Sequence, residues 1–220
     1  MELITSILLA IHVASGGIAL ISASVAISVK KGRRVHNLVG RIYFIAMMGV
    51  AVTAVPVAII RPNAMLFLVA LFSSYMAYVG WRFGRQSRLK QETKPIVEWA
   101  MVVVAVIMVG YGLFSVITGT PMGWVVVAFG GIGLQFAITD LKVAKIKLDF
   151  ANRIAAHLQH MLGGTIATVT AVLVQQVVTR METGDPLAVA VWLAPTVIIT
   201  PTIAMWSRQV LKTKKARLFN

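Results

Sequence analysis

Cysteine is absent from the 220 residues, and acidic side chains number only seven. The first absence removes disulfides, thiolate metal sites and iron–sulfur clusters, and leaves the compartment open. The second leaves few carboxylates from which any acid–base or metal chemistry could be built. No Gly-rich phosphate loop, Ser nucleophile elbow or His-Glu-x-x-His motif occurs. Charged residues make up only 13% of the chain, against about 25% in ordinary soluble domains.

What fills the chain instead is apolar. Hydrophobic residues reach 58% and the mean hydropathy is +0.84. Seven stretches approach the ~20 residues that a helix needs to cross a ~30 Å hydrocarbon core. They lie at about 3–29, 41–60, 64–81, 96–118, 122–139, 154–179 and 187–206. Barrel strands would show alternating segments of ~10 residues, which are absent. The expected fold is therefore all-α: a polytopic seven-transmembrane-helix bundle, with one domain over 1–206 and a basic tail over 207–220.

The net charge is +14, and its placement is more informative than its size. Alternate connections and the tail carry five, five, four and five of the 21 Lys and Arg, so nineteen lie on one side. They are Lys30, Lys31, Arg33, Arg34 and Arg41; Arg82, Arg85, Arg88, Lys90 and Lys94; Lys142, Lys145, Lys147 and Arg153; and Arg208, Lys212, Lys214, Lys215 and Arg217. Only Arg61 and Arg180 fall on the other. The positive-inside rule then puts the N-terminus outside and the C-terminus in the cytoplasm. Anionic headgroups are the simplest partner for this charge, and nucleic acid is not expected. Met1-Glu2-Leu3 lacks the basic start of a signal peptide, so span 1 is expected to be an uncleaved helix.

The outer connections are short and carry turn residues, as in Arg61-Pro62-Asn63, Thr118-Gly119-Thr120-Pro121 and Glu182-Thr183-Gly184-Asp185-Pro186. Pro56, Pro195 and Pro201 predict kinks in spans 2 and 7. Ser15-Gly16-Gly17, Gly130-Gly131-Ile132-Gly133 and Gly163-Gly164 are expected to allow close helix packing. Span 7 has no lysine, which excludes a retinal Schiff base of the rhodopsin type. The tryptophans (Trp81, Trp99, Trp124, Trp192 and Trp206), with Tyr43 and Tyr78, fall mostly near span ends, as interfacial anchors do.

Depth sorts the candidate site residues. His12 lies in the outer half of span 1. His36 precedes span 2 on the cytoplasmic side. His157 and His160 enter span 6 from that side, about 60° apart around the helix, so they share a face. Glu98 opens span 4 and Asp140 closes span 5. One layer thus holds His36, Glu98, Asp140, His157 and His160. Imidazoles and carboxylates on facing helices are how a bundle holds zinc or another divalent transition metal. Ionisable groups inside spans are functional-site candidates because their burial is costly. For His36, amid arginines, headgroup phosphate competes with a metal. For His12, a ligand role competes with a hydrogen bond to a neighbouring carbonyl.

Two blocks carry a family likeness. The first is His12 with Ser15-Gly16-Gly17-Ile18-Ala19-Leu20, Lys31-Gly32, His36 and Gly40-Arg41-Ile42-Tyr43. The second is His157-Leu158-Gln159-His160-Met161 with Ile166-Ala167-Thr168-Val169-Thr170-Ala171. Together with Asp140 they resemble the DUF2306 family of predicted bacterial membrane proteins. The resemblance implies a multi-pass protein of the bacterial cytoplasmic (inner) membrane. It points to His12, His36, Arg41, Tyr43, Asp140, His157, Met161 and Thr170, with Arg41, Tyr43 and His12 as further buried polar groups. At position 160 the family more often has arginine. It implies an architecture and no mechanism.

Three functions remain open from the residues. A metal-dependent enzyme would use His36, His157 and an acid to activate water against a lipid-soluble substrate. A b-type haem protein would take axial histidines from facing helices, with haem b as the cofactor. A transporter or binding protein for a small molecule would line its path with groups such as Gln135, Gln175 and Gln176. The orientation has a direct check. A tag fused after Asn220 is expected to be unreachable by impermeant reagent in intact cells, and labelling from outside would overturn it.

Overall fold

The computed structural model describes residues 2–85, 95–144, 146, 148–182 and 185–213. Arg88, Lys90, Glu92, Lys94, Lys145, Lys147, Thr183, Gly184, Lys214, Lys215 and Arg217 lie outside these described residues. Seven α-helices account for nearly all of the rest: α1 (Glu2–Ser28), α2 (Arg34–Ile60), α3 (Ala64–Arg85), α4 (Ile96–Ile117), α5 (Gly123–Val143), α6 (Phe150–Gln176) and α7 (Leu187–Thr213). A single 3-10 turn, Val178–Arg180, follows α6, and no strand occurs among the described residues. All seven helices are long and apolar enough to cross a membrane. A seven-helix all-α bundle is thus what the apolar runs form.

The helices begin and end where local chemistry dictates. Gly32 takes φ +72 between α1 and α2, and Gly119 takes φ +86 between α4 and α5. Both are left-handed positions that a Cβ strains. Asp149 caps α6, its Oδ1 accepting from the Asn152 backbone N–H at 2.7 Å. The helices overrun the predicted spans at the basic end. Helix α2 starts at Arg34 rather than 41, α6 at Phe150 rather than 154, and α7 continues to Thr213. Helix α7 therefore does hold a lysine, Lys212, exposed in its last turn. Pro56, Pro195 and Pro201 sit inside helices that continue past them.

Helix α3 is the most enclosed span. It packs against α2, α4, α5 and α6, while α1 pairs mainly with α2 and α7 mainly with α6. The main core gathers Phe72, Tyr75, Met76, Val79 and Phe83 of α3 with Met101 and Met108 of α4 and Val126 and Phe129 of α5. Trp192 joins it, its ring edge-on to Phe129 at 6.5 Å, so this tryptophan is a core residue and not an interfacial anchor. The outer faces carry Ile, Leu, Val and Phe freely, as lipid contact requires.

Glycines admit the closest approaches, but not all those expected. Cβ atoms at Gly112 and Gly123 would each stand within 2.8 Å of backbone on the facing helix, α5 and α4 respectively. Gly130 likewise lies against α4 at Met108 and Val109, Gly133 receives the side chains of Met101 and Phe72, and Gly163 and Gly164 receive Met76 and Tyr43. Gly16, Gly17 and Gly131 face open space. The approach near α1 is made by Gly49 of α2 against Ser15. Gly112→Ala is expected to lower stability in detergent by about 1–3 kcal/mol, because backbone cannot yield to the methyl. Gly16→Ala should show no loss in the same denaturant titration.

Candidate functional site

The layer of polar residues forms, but as separate partnerships rather than one ligand set. Helix α3 supplies the residues around which three of them assemble.

The first joins α3 to α4. Arg82 sits in the last turn of α3, counted by sequence among loop charges, yet it is only 7% exposed. It donates to Glu98 Oε1, and Glu98 is fully buried. The guanidinium also stacks near the rings of Tyr78 and Phe83, at 5.9 and 5.7 Å from their centroids. The Arg82 Nε and the Glu98 Oε2 remain buried without a hydrogen-bond partner.

The second joins α3, α5 and α6. Asp140 Oδ2 accepts from the Tyr75 hydroxyl and faces His160 Nε2 at 2.8 Å. All three side chains are enclosed, and His160 and Asp140 are 1% and 3% exposed. The rings of Phe83 and Phe136 lie 5.5 and 4.7 Å from that of His160. Its Nδ1 stands 2.9 Å from the Ala156 carbonyl. A carbonyl only accepts, so Nδ1 carries a proton. A further proton therefore lies between Nε2 and Oδ2. It makes either an imidazolium–carboxylate pair or a neutral imidazole–carboxylic acid pair, and the Tyr75 bond survives in both.

The third ties α6 to the end of α3. His157 Nδ1–H donates to the Gly80 carbonyl at 2.8 Å, and Arg153 Nη1 donates to the Phe83 carbonyl at 2.9 Å. The last carbonyls of a helix have no partners within it, and Arg153 supplies one. Gly84 makes room, since a Cβ there would stand 2.9 Å from His157 Nδ1. On the other side, His36 Nδ1–H donates to the Ala26 carbonyl at 3.2 Å, at the end of α1. Lys31 Nζ serves the Ala26 and Val29 carbonyls there, at 3.2 and 3.1 Å, as well as that of Ile27. Partial burial of Lys31 lowers its pKa from the ordinary lysine value. The His36 and His157 rings meet edge to face, with centroids 6.4 Å apart.

The five-ligand metal site expected from sequence is not assembled. Among the described residues no three histidine or carboxylate side chains converge as a metal-ligand group. The reason is prior engagement: Glu98 is held by Arg82, and Asp140 by Tyr75 and His160. His12 stands apart as expected, half-buried, donating from Nδ1 to Thr53 Oγ1 at 3.1 Å and the Val50 carbonyl at 3.2 Å. That bond pins α1 to α2. Tyr43 is buried as expected, its hydroxyl beside Thr165 and Thr168 but bonded to neither. Arg41 is exposed rather than buried, because it lies on the outward side of α2. Gln135, Gln175 and Gln176 are likewise exposed and line no interior path.

Tyr75, Arg82 and Arg153 are the residues that sequence reading missed. Tyr75 sits in an apolar run that gives no polar signal, and both arginines resembled loop charges. One signal was available. Tyr75, Arg82 and Gly84 fall within three turns of the helix that also has the most aromatic residues. Comparison with protein-family models, with curated proteins and with solved structures finds no match. The chemistry of this site therefore rests on its own geometry.

Loss of one partner should reveal how much Arg82 and Glu98 depend on each other. Arg82→Met is expected to cost about 3–5 kcal/mol by stranding a buried carboxylate. The double variant Arg82→Met/Glu98→Leu should recover most of that loss in a denaturation cycle. Additive losses would show that the pair is not coupled.

Proposed function

We propose that this integral membrane protein is a proton-coupled carrier of a small molecule, with Asp140 and His160 as its proton-binding pair. The observation that carries the reading is the 2.8 Å contact of His160 Nε2 with Asp140 Oδ2, which calls for one proton between them, in an apolar interior at the junction of α3, α5 and α6. Either partner can hold it without breaking the hydrogen bond, so the pair exchanges charge states with little rearrangement. Ionisable groups at such depth characterise proton relays in membrane carriers. Tyr75 fixes the carboxylate and lies within electrostatic reach of both Arg82 and Glu98. The unpartnered Glu98 Oε2 and Arg82 Nε lie buried close to the proton site, so they could serve a polar cargo as acceptor and donor only once the bundle opens.

The basic end of the bundle is taken as cytoplasmic, in a bacterial inner membrane, on the strength of its charge distribution. The two sequence blocks around His12 and His157 support placing the chain in the DUF2306 family. A hydrolytic metal enzyme is the weaker reading, since both candidate carboxylates are already engaged.

Infrared difference spectroscopy across a pH titration tests the assignment without knowledge of the cargo. A carboxylic-acid carbonyl band that appears and disappears with pH, and is lost in Asp140→Asn, is expected. His160→Gln should shift the pH at which that band changes. A spectrum without any Asp140-dependent carboxyl band at any pH would overturn the proposal.

A further inference from the structure

His36 and His157 take no part in the proton pair, and their geometry is of another kind. Each ring donates Nδ1–H to a backbone carbonyl, Ala26 for His36 and Gly80 for His157. That bond fixes the tautomer and leaves the Nε2 lone pair available. Neither Nε2 has a hydrogen-bond partner among the described residues, and neither is among the buried atoms left unsatisfied. Both residues are half-buried at the basic end, where α2 carries one ring to the end of α1 and α6 carries the other to the end of α3.

We infer that His36 and His157 form a two-imidazole binding site for a first-row transition-metal cation of the copper or zinc class. Three features converge on it. An imidazole whose Nδ1–H is held by a carbonyl is the usual state of a metal-ligating histidine, because the bond orients the ring and makes Nε2 more basic. The spacing also fits. With nitrogens about 2.1 Å from one ion, two imidazoles place their centroids roughly 5 Å apart at a tetrahedral angle and roughly 6.5 Å apart when opposed, and at 6.4 Å these stand near the opposed arrangement. Finally, the two rings come from different helices, α2 and α6, and each is anchored to a third element, so the site is held from both sides.

The surrounding charge decides which cation is accepted. Lys31 and Arg153 lie beside the rings, bonded to the same helix ends. They oppose a dication held by charge alone. Calcium and magnesium, which rely on oxygen ligands, are therefore excluded. Copper and zinc bond well to imidazole nitrogen, and copper sits highest in the divalent affinity order. With two protein nitrogens the remaining positions fall to water or to an exchangeable ligand.

The test uses the full-length protein purified in detergent, without a polyhistidine tag, titrated with Cu2+ alone. One ion per chain is expected, with an electron paramagnetic resonance spectrum showing coupling to two imidazole nitrogens. His36→Gln and His157→Gln should each weaken binding more than tenfold. Glutamine retains an N–H for the backbone carbonyl, so these variants keep the fold, which a thermal-unfolding scan verifies. His12→Gln and Asp140→Asn should leave copper binding unchanged, separating this site from the proton pair. Excess Mg2+ should not compete. Copper binding that survives both glutamine variants would overturn the inference. So would a Soret band in the purified protein that is lost in His157→Gln, because it would assign the pair to haem iron instead.

Discussion

A charge inside a helical membrane bundle persists only where a partner is brought to it, and α3 is the helix to which partners are brought. Its Arg82 is nearly enclosed and takes Glu98 from α4. Its Tyr75 holds Asp140 of α5, which in turn faces His160 of α6. Its final carbonyls receive Arg153, and Gly80 receives His157, both from α6. Unmatched, any of these groups would cost several kcal/mol in a medium without water to solvate it. Helices α4, α5 and α6 each carry a group that completes one of the polar atoms or backbone ends of α3, whereas α2 packs on it through apolar and aromatic contact, as where Phe44 stacks on Trp81 at 4.5 Å. Helices α1 and α7 pair mainly with α2 and α6 and stay peripheral.

Close packing and polar pairing are not independent here. The His160 Cβ and the Met161 backbone sit where a Cβ at Gly80 would stand, at 3.0 Å. His157 similarly lies against Gly84. Gly80 and Gly84 are four residues apart and so share one face of α3. That smooth strip lets α6 come near enough for its histidines to reach past α3, one to a carbonyl and one to a carboxylate on α5. Bulk at either position would separate the helices before it disturbed any charge. Small residues thus set the distance between α3 and α6 at which His157 reaches Gly80 and His160 reaches Asp140.

The architecture was legible because it depends on composition and length alone. Seven apolar runs separated by turn residues leave few alternatives to seven helices. The basic end was also visible as charge, although the helices there extend further than the apolar runs do. The site was half legible. Depth correctly brought His36, Asp140, His157, His160 and Glu98 to one end of the bundle. It could not say which of them touch, since contact depends on rotation about each helix axis. Arg82 shows the limit most clearly. In sequence it is one cation of five in a basic connection; in the fold one turn of helix carries it inside, and it removes Glu98 from any ligand set. Arg41 is the opposite case, a cation of the same basic end that rotation leaves outside. Gly16 and Gly17 fail for the same reason, because a small-residue pair signals close packing only if it faces a neighbour.

Helix α6 links the proposed cation site and the proposed proton pair at the basic end. His157 and His160 are three residues apart, and both approach α3 through the segment from Gly80 to Gly84. A cation drawing His157 toward His36 pulls on the Gly80 carbonyl bond, whereas a proton moving from His160 to Asp140 changes the charge one helical turn away. The two events differ in what they demand. The first changes the position of a ring at the junction of α2 and α6. The second changes only where a proton sits, and leaves the Tyr75–Asp140–His160 bonds intact. A shift of α6 against α3 strains both pairs, the outer through the 2.8 Å bond of His157 to the Gly80 carbonyl and the inner through the 2.8 Å contact of His160 with Asp140. What separates them is enclosure: the rings of Phe83 and Phe136 surround the inner pair, whereas the outer one is half-buried.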